Sequence, residues 1–278
     1  MDFLSIGVLS LSGFDKKYVE NICDRNELSA FIIAQVSVIS IYCYLRTKNK
    51  KWEGYIEHDS FSSTILKNMH YENISDISKI LNTILIIHSE HGQNCSTTTV
   101  RNIASSKSNI YSAISGGIAA FKGSLHGGAS EHVSNMFDYI IKNNIDHNLY
   151  INERIKNKMP IFGFGQRTYN KIIGHWDPRV EIMYEIIQTK DINFKKIDKE
   201  RIIALKMISR ISNDDYFVNR NISPNPDLFN CLFYKLLDVP NPMNPVMITL
   251  GRVVGWIANY YETIEHKTKL ARPSDLMK

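Results

Sequence analysis

Apolar positions recur at helical spacing along most of this 278-residue chain, and that period decides its class. Asn26 stands where it can cap a helix running to about Thr47, after an irregular polar stretch from Asp15 to Asn26. The centre of that helix, Phe31 to Tyr44, reads FIIAQVSVISIYCY. It falls short of the roughly 20 apolar residues that a membrane span needs and carries Gln35, Ser37 and Ser40, so it reads as a helix buried in a large core. Lys48 to Ser60 is charged, contains Gly54 and reads as a connecting loop. Helices are then expected over Ser62 to Met69 and over Ser75 to Ser89, where Ile77, Ile80, Leu81, Ile84, Leu85 and Ile87 share one face. A fourth, Thr97 to about Lys122, becomes rich in Ala, Ser and Gly, a composition that lets another helix or a ligand come close.

Further periodic segments cover Glu131 to Asn143 and Leu149 to Lys158, separated by the polar run Asn143 to Asp146. Pro160, Gly163 and Gly165 lie too close together for regular helix and mark a loop. Asp177 as N-cap and Pro178 at the first helical position start a helix that continues to about Thr189. Asp198 to Arg210, Pro226 to Leu237 and the strongly apolar Val246 to Tyr261 complete the set, with a turn at Asn241 to Pro245. No stretch alternates long enough to argue for a sheet, so the expected fold is all-α.

Composition narrows the function. A hydrophobic share of 44% and a charged share of 22% are those of a soluble globular protein. The formal charge of +5 is spread along the chain. It suits small anions such as carboxylates and phosphates and supplies no basic block for nucleic acid. Cys23, Cys43, Cys95 and Cys231 are far apart, without a Cys-x-x-Cys pair or zinc-like histidine spacing. No metal site and a reduced, cytoplasmic protein are expected. The opening Met1-Asp2-Phe3-Leu4-Ser5-Ile6 supports neither a secretory signal nor a transit peptide, and no membrane partner is expected.

The candidate chemistry centres on Gly123-Ser124-Leu125-His126-Gly127-Gly128-Ala129-Ser130-Glu131. Two glycines follow a histidine at the junction of two helical patterns, which lets the backbone approach a ligand and presents His126 to it. The same residues also fit a helix C-cap glycine followed by an N-cap serine, with His126 on ordinary surface. Three other stretches bear on the choice. They are Ile161-Phe162-Gly163-Phe164-Gly165-Gln166-Arg167-Thr168-Tyr169 with Asp177-Pro178-Arg179, then Pro224-Asn225-Pro226-Asp227, then Gly251-Arg252-Val253-Val254-Gly255-Trp256-Ile257-Ala258 with Ala271-Arg272-Pro273.

In that order the four stretches resemble the signatures of citrate synthases, from about Ala30 to the C-terminus, with Ser130 where the family has Asn. The resemblance implies a two-domain helical fold, the large domain at 1–129 and 240–278 and the small one at 130–239. It also implies further helices ahead of the point where this sequence starts. The family's activity is condensation of acetyl-CoA, or a related acyl-CoA, with oxaloacetate or a related 2-oxo dicarboxylate, with release of CoA. The acyl-CoA is a substrate, and no tightly bound cofactor is implied.

By the same resemblance Asp227 is the base that removes the acyl proton and His126 the donor that stabilises the thioester oxygen; both are needed because a carboxylate alone is a weak base for a carbon acid. Read on its own, Asp227 also fits a helix N-terminal carboxylate. Arg179, Arg252 and Arg272 fall at the family's carboxylate-binding positions, which suit a planar, permanently charged fork. His91 resembles a further histidine that contacts the keto acid. Gly163, Gly165 and Arg167 lie in the loop expected near the CoA chain and phosphates. Arg272 comes from the neighbouring subunit in the family, which implies a homodimer.

Gln166 stands where the family has a second histidine to polarise the acceptor ketone. An amide donates a hydrogen bond but delivers no proton. The ten residues Arg167 to Trp176 separate it from Asp177, more than the family typically has, and they include His175. His175 either loops back into the missing role or lies in a solvated insertion. A catalytically impaired paralogue, serving as a dicarboxylate- or CoA-binding or assembly subunit, is the alternative to an active enzyme.

Overall fold

Every regular element among the described residues is a helix, as the period requires, and the strand-like feature is an isolated bridge between Phe164 and Pro224. The computed structural model describes residues 1–14, 24–72, 74–165, 176–189 and 192–272. The chain divides into two units, Met1–Gly127 with Pro245–Lys278 and Gly128–Asn244.

The first unit holds α1 (Asp2–Phe14), α2 (Arg25–Thr47), α3 (Phe61–Asn68), α4 (Ser75–His88), α5 (Cys95–Ser105), α6 (Ile110–Phe121) and α13 (Asn244–Glu265), the last of which starts at the unit boundary. Helix α1 has no counterpart among the expected elements, because only Leu4 and Val8 form its buried stripe. It packs along α6, where Ser5 Oγ donates to Ser115 O at 3.1 Å. Helix α2 is capped by Asp24, whose Oδ1 accepts from Asn26 N at 2.8 Å, and not by Asn26 itself. By length and composition α2 could cross a membrane, but half of its most apolar window is buried within the protein. Its Gln35 accepts from the Tyr111 hydroxyl of α6 at 2.9 Å.

The single helix expected over Thr97 to Lys122 is two. Lys107 adopts a left-handed backbone with φ of 60°, and Asn109 Oδ1 then caps α6 through Ser112 N at 2.9 Å. Small residues serve the packing as their density suggests. A Cβ on Gly117 would lie 2.8 Å from Val100 and 3.2 Å from the Trp256 indole. Helix α13 crosses the end of α4 backbone against side-chain-free backbone, since a Cβ on Gly255 would meet Ser89 O at 1.9 Å. That crossing fixes where Arg252 and Trp256 stand.

The second unit holds α7 (Ala129–Lys142), α8 (His147–Lys156), α9 (Pro178–Gln188), α10 (Asp198–Ser212), the short α11 (Asp215–Val218) and α12 (Pro226–Leu236), with 3-10 turns at Lys195–Ile197 and Asn241–Met243. Helix α12 is its core, packed by α7, α9 and α10. Leu228, Phe229, Cys231, Leu232 and Phe233 are completely buried. Burying side chains of this size contributes about 1.5–3 kcal/mol each, which anchors the helix that carries Asp227 in the core of this unit.

Candidate active site

His126 sits in a turn just past α6, closed by hydrogen bonds from His126 N to Gly123 O and from Gly127 N to Phe121 O, both 2.9 Å. The imidazole is packed as well as presented. It stands edge-on against the Phe121 ring with centroids 4.7 Å apart, and Phe121 in turn leans on Trp256 at 6.1 Å. A glycine is required at 127 because a Cβ there would lie 2.3 Å from the Phe121 ring. The alternative of an N-cap at Ser130 does not hold: Gly128 occupies the cap position without a side-chain bond, and Ser130 is completely buried inside α7.

The His126 ring is oriented by the start of α5. Asn94 caps that helix, its Oδ1 accepting from Thr97 N at 3.1 Å. Ser96 N points at His126 Nε2 at 3.4 Å, with Ser96 Oγ 2.9 Å from the same nitrogen and 2.8 Å from Asn94 Oδ1. A backbone N–H can only donate, so Nε2 is an acceptor with the ring proton on Nδ1 when the single Ser96 hydroxyl proton goes to Nε2, and the reverse holds when that proton goes to Asn94 Oδ1. Burial lowers the His126 pKa to about 4, aided by the Arg252 charge. The imidazole is therefore neutral at pH 7 and offers one N–H donor. Arg252 itself is almost wholly buried.

Nearby in the first unit, His91 N donates to Glu90 Oε1 at 2.8 Å. Glu90 Oε2 accepts from Asn259 Nδ2 at 2.7 Å, and Asn259 Oδ1 accepts from Arg101 Nη1 at 2.8 Å. The His91 backbone is thus tied to α13. Arg272 lies exposed at the end of the described chain.

In the second unit Asp227 occupies the first turn of α12. Asn225 is the cap, its Oδ1 accepting from Asp227 N at 3.0 Å, and Pro226 takes the first helical position, where no N–H is needed. Asn225 also stitches two loops together. Its N–H donates to Gly163 O at 2.9 Å and its Nδ2 to Gly165 O at 3.0 Å, while Gly165 N donates to Ser223 O at 2.7 Å. Gly163 and Gly165 hold φ of +85° and +83°, a region open to glycine, and a Cβ on Gly163 would also strike Leu228 at 2.9 Å. The loop bearing Gly163 and Gly165 is thereby fixed to the residue before the Asp227 turn.

Asp227 keeps a partly accessible edge but is otherwise enclosed. That enclosure raises its pKa to about 6, against the opposing pull of Arg179. Arg179 is not a free fork. Its Nη2 and Nε reach the completely buried Asp177 carboxylate at 2.6 and 3.0 Å, and Asp177 Oδ1 also accepts from Arg179 N at 3.0 Å as the cap of α9. An arginine so held has a fixed direction, and among the described residues no hydrogen bond from its Nη1 is formed. Beside Gly165 lies a cavity of about 460 Å³ lined by Arg154, Lys158, Ile161, Phe164 and Tyr216, with the Arg220 guanidinium 3.9 Å over the Tyr216 ring. Gln166, Arg167 and His175 lie outside the described residues.

The structure thus brings Asp227 together with Arg179 and with the Gly163–Gly165 loop, and His126 with Arg252. Ser96, Phe121, Asp177 and Glu90 are partners that sequence reasoning missed. The signal for Ser96 was the Asn94-x-Ser96 cap of α5, hidden by starting that helix at Thr97. Among the described residues no three His, Cys, Asp or Glu side chains gather as a metal would require.

Comparison with known proteins bears on this arrangement. The family described as citrate synthase, C-terminal domain, matches residues 1–274. Citrate synthase 1 of Mycobacterium tuberculosis is 32% identical over 265 residues, covering 90% of this chain and 59% of the relative. The peroxisomal citrate synthase of Dictyostelium discoideum is 30% identical over 279 residues, covering 97% of this chain and 54% of the relative. The chain therefore spans a little over half the length of these curated relatives. Among solved structures, citrate synthase of Thermoplasma acidophilum in ternary complex with carboxymethyl coenzyme A and oxaloacetate superposes with a TM-score of 0.88 at 28% identity, covering 99% of this chain and 71% of that one. Citrate synthase of Thermotoga maritima superposes with a TM-score of 0.79 at 29% identity, covering 98% and 70%.

Proposed function

This chain belongs to the citrate synthase family, and from that premise we propose that it condenses acetyl-CoA, or a related acyl-CoA, with oxaloacetate or a related 2-oxo dicarboxylate. The observation that carries the proposal is Asp227: a carboxylate on a rigid helix, capped by Asn225, with its pKa raised to about 6 by enclosure. It is ionised at neutral pH yet a stronger base than an ordinary aspartate.

Asp227 takes a proton from the carbon next to the thioester. The electron pair moves towards the thioester oxygen, which accepts the Nδ1–H of neutral His126. The resulting carbon nucleophile attacks the acceptor ketone and forms the new carbon–carbon bond; the alkoxide takes up a proton. Water then attacks the thioester carbonyl and CoA leaves as the thiol. Arg252, Arg179 through its remaining Nη1, and the partner subunit's Arg272 pair with the acceptor carboxylates, and His91 contacts the keto acid. The cavity beside Gly165, with Arg154 and Lys158 on its wall, takes the nucleotide end of CoA. The two units serve as the large and small domains of the reading at 1–129 with 240–278 and 130–239. The working form is a homodimer in a reducing, cytoplasmic setting, in keeping with the free thiols of Cys43, Cys95 and Cys231.

Release of free thiol from acetyl-CoA in the presence of oxaloacetate tests the activity. Turnover is expected, and failure across a range of acyl-CoA and 2-oxo dicarboxylate pairs, with dicarboxylate binding intact, overturns it in favour of a binding or assembly role. Gln166 polarises the ketone less than a histidine would. Gln166→His is expected to raise turnover by up to about 10²-fold, whereas a strong loss on His175→Ala would assign that role to His175.

A further inference from the structure

Helix α12 is apolar on almost every side, yet Asp227, Asn230 and Tyr234 follow one another three and four residues apart and so share one face. Tyr234 is completely buried, and its hydroxyl has no hydrogen-bond partner among the described residues. A buried unpaired hydroxyl costs about 1–3 kcal/mol, and native cores seldom keep one without a use. Helical side chains lean towards the N-terminus of their helix, which directs the Tyr234 ring back up α12 towards Asp227, two turns or about 10.5 Å away along the axis. The hydroxyl stops short of bonding distance but remains within reach of the Asp227 charge. Burial, and after it that charge, hold the phenol well above its ordinary range. Tyr234 therefore keeps its proton near neutral pH and has one O–H to donate.

We propose that Tyr234 is a positioning residue for Asp227, its hydroxyl donating through one ordered water to the ionised carboxylate and favouring the form that accepts the substrate proton. A water of this kind satisfies the buried hydroxyl and closes the polar face of the helix. The other charged group acting on Asp227 is Arg179, from α9, itself held by Asp177. Lys235, Asp138 and Glu200 act on the Cys231 thiol further along α12. The inference rests on Asp227 being the base.

Tyr234→Phe removes only the hydroxyl. A lost donor to the ionised carboxylate makes that form less favourable, so the acid limb of kcat/KM for CoA release should move up by about half to one pH unit, a loss of about two- to fivefold at pH 6 and little at pH 8. The Asp227 carboxyl carbon, followed by NMR, should titrate at correspondingly higher pH. A uniform loss at all pH values, or an unmoved carboxyl titration, overturns the proposal. Should Tyr234→Phe fold poorly, the wild type decides: the Cζ resonance of labelled Tyr234 must follow the Asp227 titration, and a flat response overturns the proposal. Retention of turnover by Asp227→Asn would remove the base assignment alone, while the NMR titrations still decide on Tyr234.

Discussion

The turn that carries His126 and the helix start that carries Asp227 solve the same problem in opposite ways. His126 is held by side chains: Phe121 against the ring in an edge-to-face contact, Trp256 behind Phe121, and Ser96 at Nε2. Asp227 is held by backbone, through Asn225 tied to Gly163 and Gly165. Enclosure moves both groups away from their charged forms, but on an imidazole and a carboxylate this has contrary chemical results. The imidazole becomes a neutral donor at every working pH, with its pKa at about 4. The carboxylate becomes a better base that remains ionised just above its pKa of about 6. One dominant cause, withdrawal from water, thus prepares an acid-side and a base-side group, aided at His126 by the Arg252 charge and opposed at Asp227 by Arg179.

Removing each group separates the two halves most sharply. Asp227→Asn should lower CoA release by about 10²–10⁴-fold, the range of a positioned general base. His126→Ala should cost about 10²–10³-fold, the range of one donor to a developing oxyanion. Oxaloacetate binding, followed by calorimetry, should be little changed in either, because neither side chain pairs with an acceptor carboxylate. An Asp227→Asn protein with most of its turnover intact would remove the base assignment.

The motif residues and the all-α class were legible because each rests on local chemistry: a 3.6-residue period, a proline after an N-cap aspartate, glycines beside a histidine. What escaped was set by contacts distant in sequence. Ser96 meets His126 across 30 positions, and the Asn94-x-Ser96 cap at the start of α5 announces a helix start without announcing that distant partner. From sequence Arg179 reads as an open carboxylate fork and Asp177 as a cap alone, whereas in the fold the two residues of this three-residue motif pair with each other. The break at Lys107 was hidden by apolar periodicity on both sides, since a left-handed lysine leaves no mark in composition. Helix α1 was missed for the reverse reason: two buried residues are too few to register as a period. The ketone-polarising position at Gln166 lies outside the described residues, and its role rests on the family resemblance.

The contrary pKa shifts make stability a readout of the same comparison. Between pH 6.5 and 4 the unfolded chain binds a proton at His126 that the fold resists, so acidification through that window destabilises the protein by up to about 3 kcal/mol. Between pH 6 and 3.8 the fold binds a proton at Asp227 more readily than the unfolded chain does, so acidification there stabilises by a similar order, up to about 3 kcal/mol. The two largely cancel in the wild type. In Asp227→Asn the offset disappears, and the melting temperature should fall more steeply than in the wild type from pH 6 to 4. In His126→Ala it should fall less or rise. Parallel pH profiles in all three proteins would show that enclosure shifts neither group.

Packing offers a smaller contrast. A methyl on Gly127 would enter the Phe121 ring at 2.3 Å, whereas a methyl on Gly163 would meet Leu228 at 2.9 Å on a backbone with φ of +85°. Overpacking of this kind costs about 1–3 kcal/mol. Gly127→Ala should displace His126 and so reduce turnover along with stability. Gly163→Ala adds backbone strain and should weaken acyl-CoA binding more than turnover, since it disturbs the loop next to the cavity that Arg154 and Lys158 line. Equal effects of both on kcat and KM would argue that the two loops do not divide the work in this way.

The smallest effect belongs to Ser96→Ala, and it isolates orientation from everything else around His126. The substitution keeps the Ser96 backbone N–H, which still points at Nε2 at 3.4 Å, and it keeps Phe121 against the ring. It removes only the hydroxyl at 2.9 Å. A single neutral hydrogen bond contributes about 0.5–1.5 kcal/mol, so turnover should fall by about two- to tenfold, with the acceptor KM unchanged and the melting temperature nearly so. The sign of the change in turnover then distinguishes two roles for the hydroxyl. If it donates to Nε2, it helps to hold the proton on Nδ1, and its loss lowers kcat equally from pH 6 to pH 8. If instead Nε2–H donates to it, the proton sits on the wrong nitrogen for the proposed reaction, and Ser96→Ala should leave turnover unchanged or increase it.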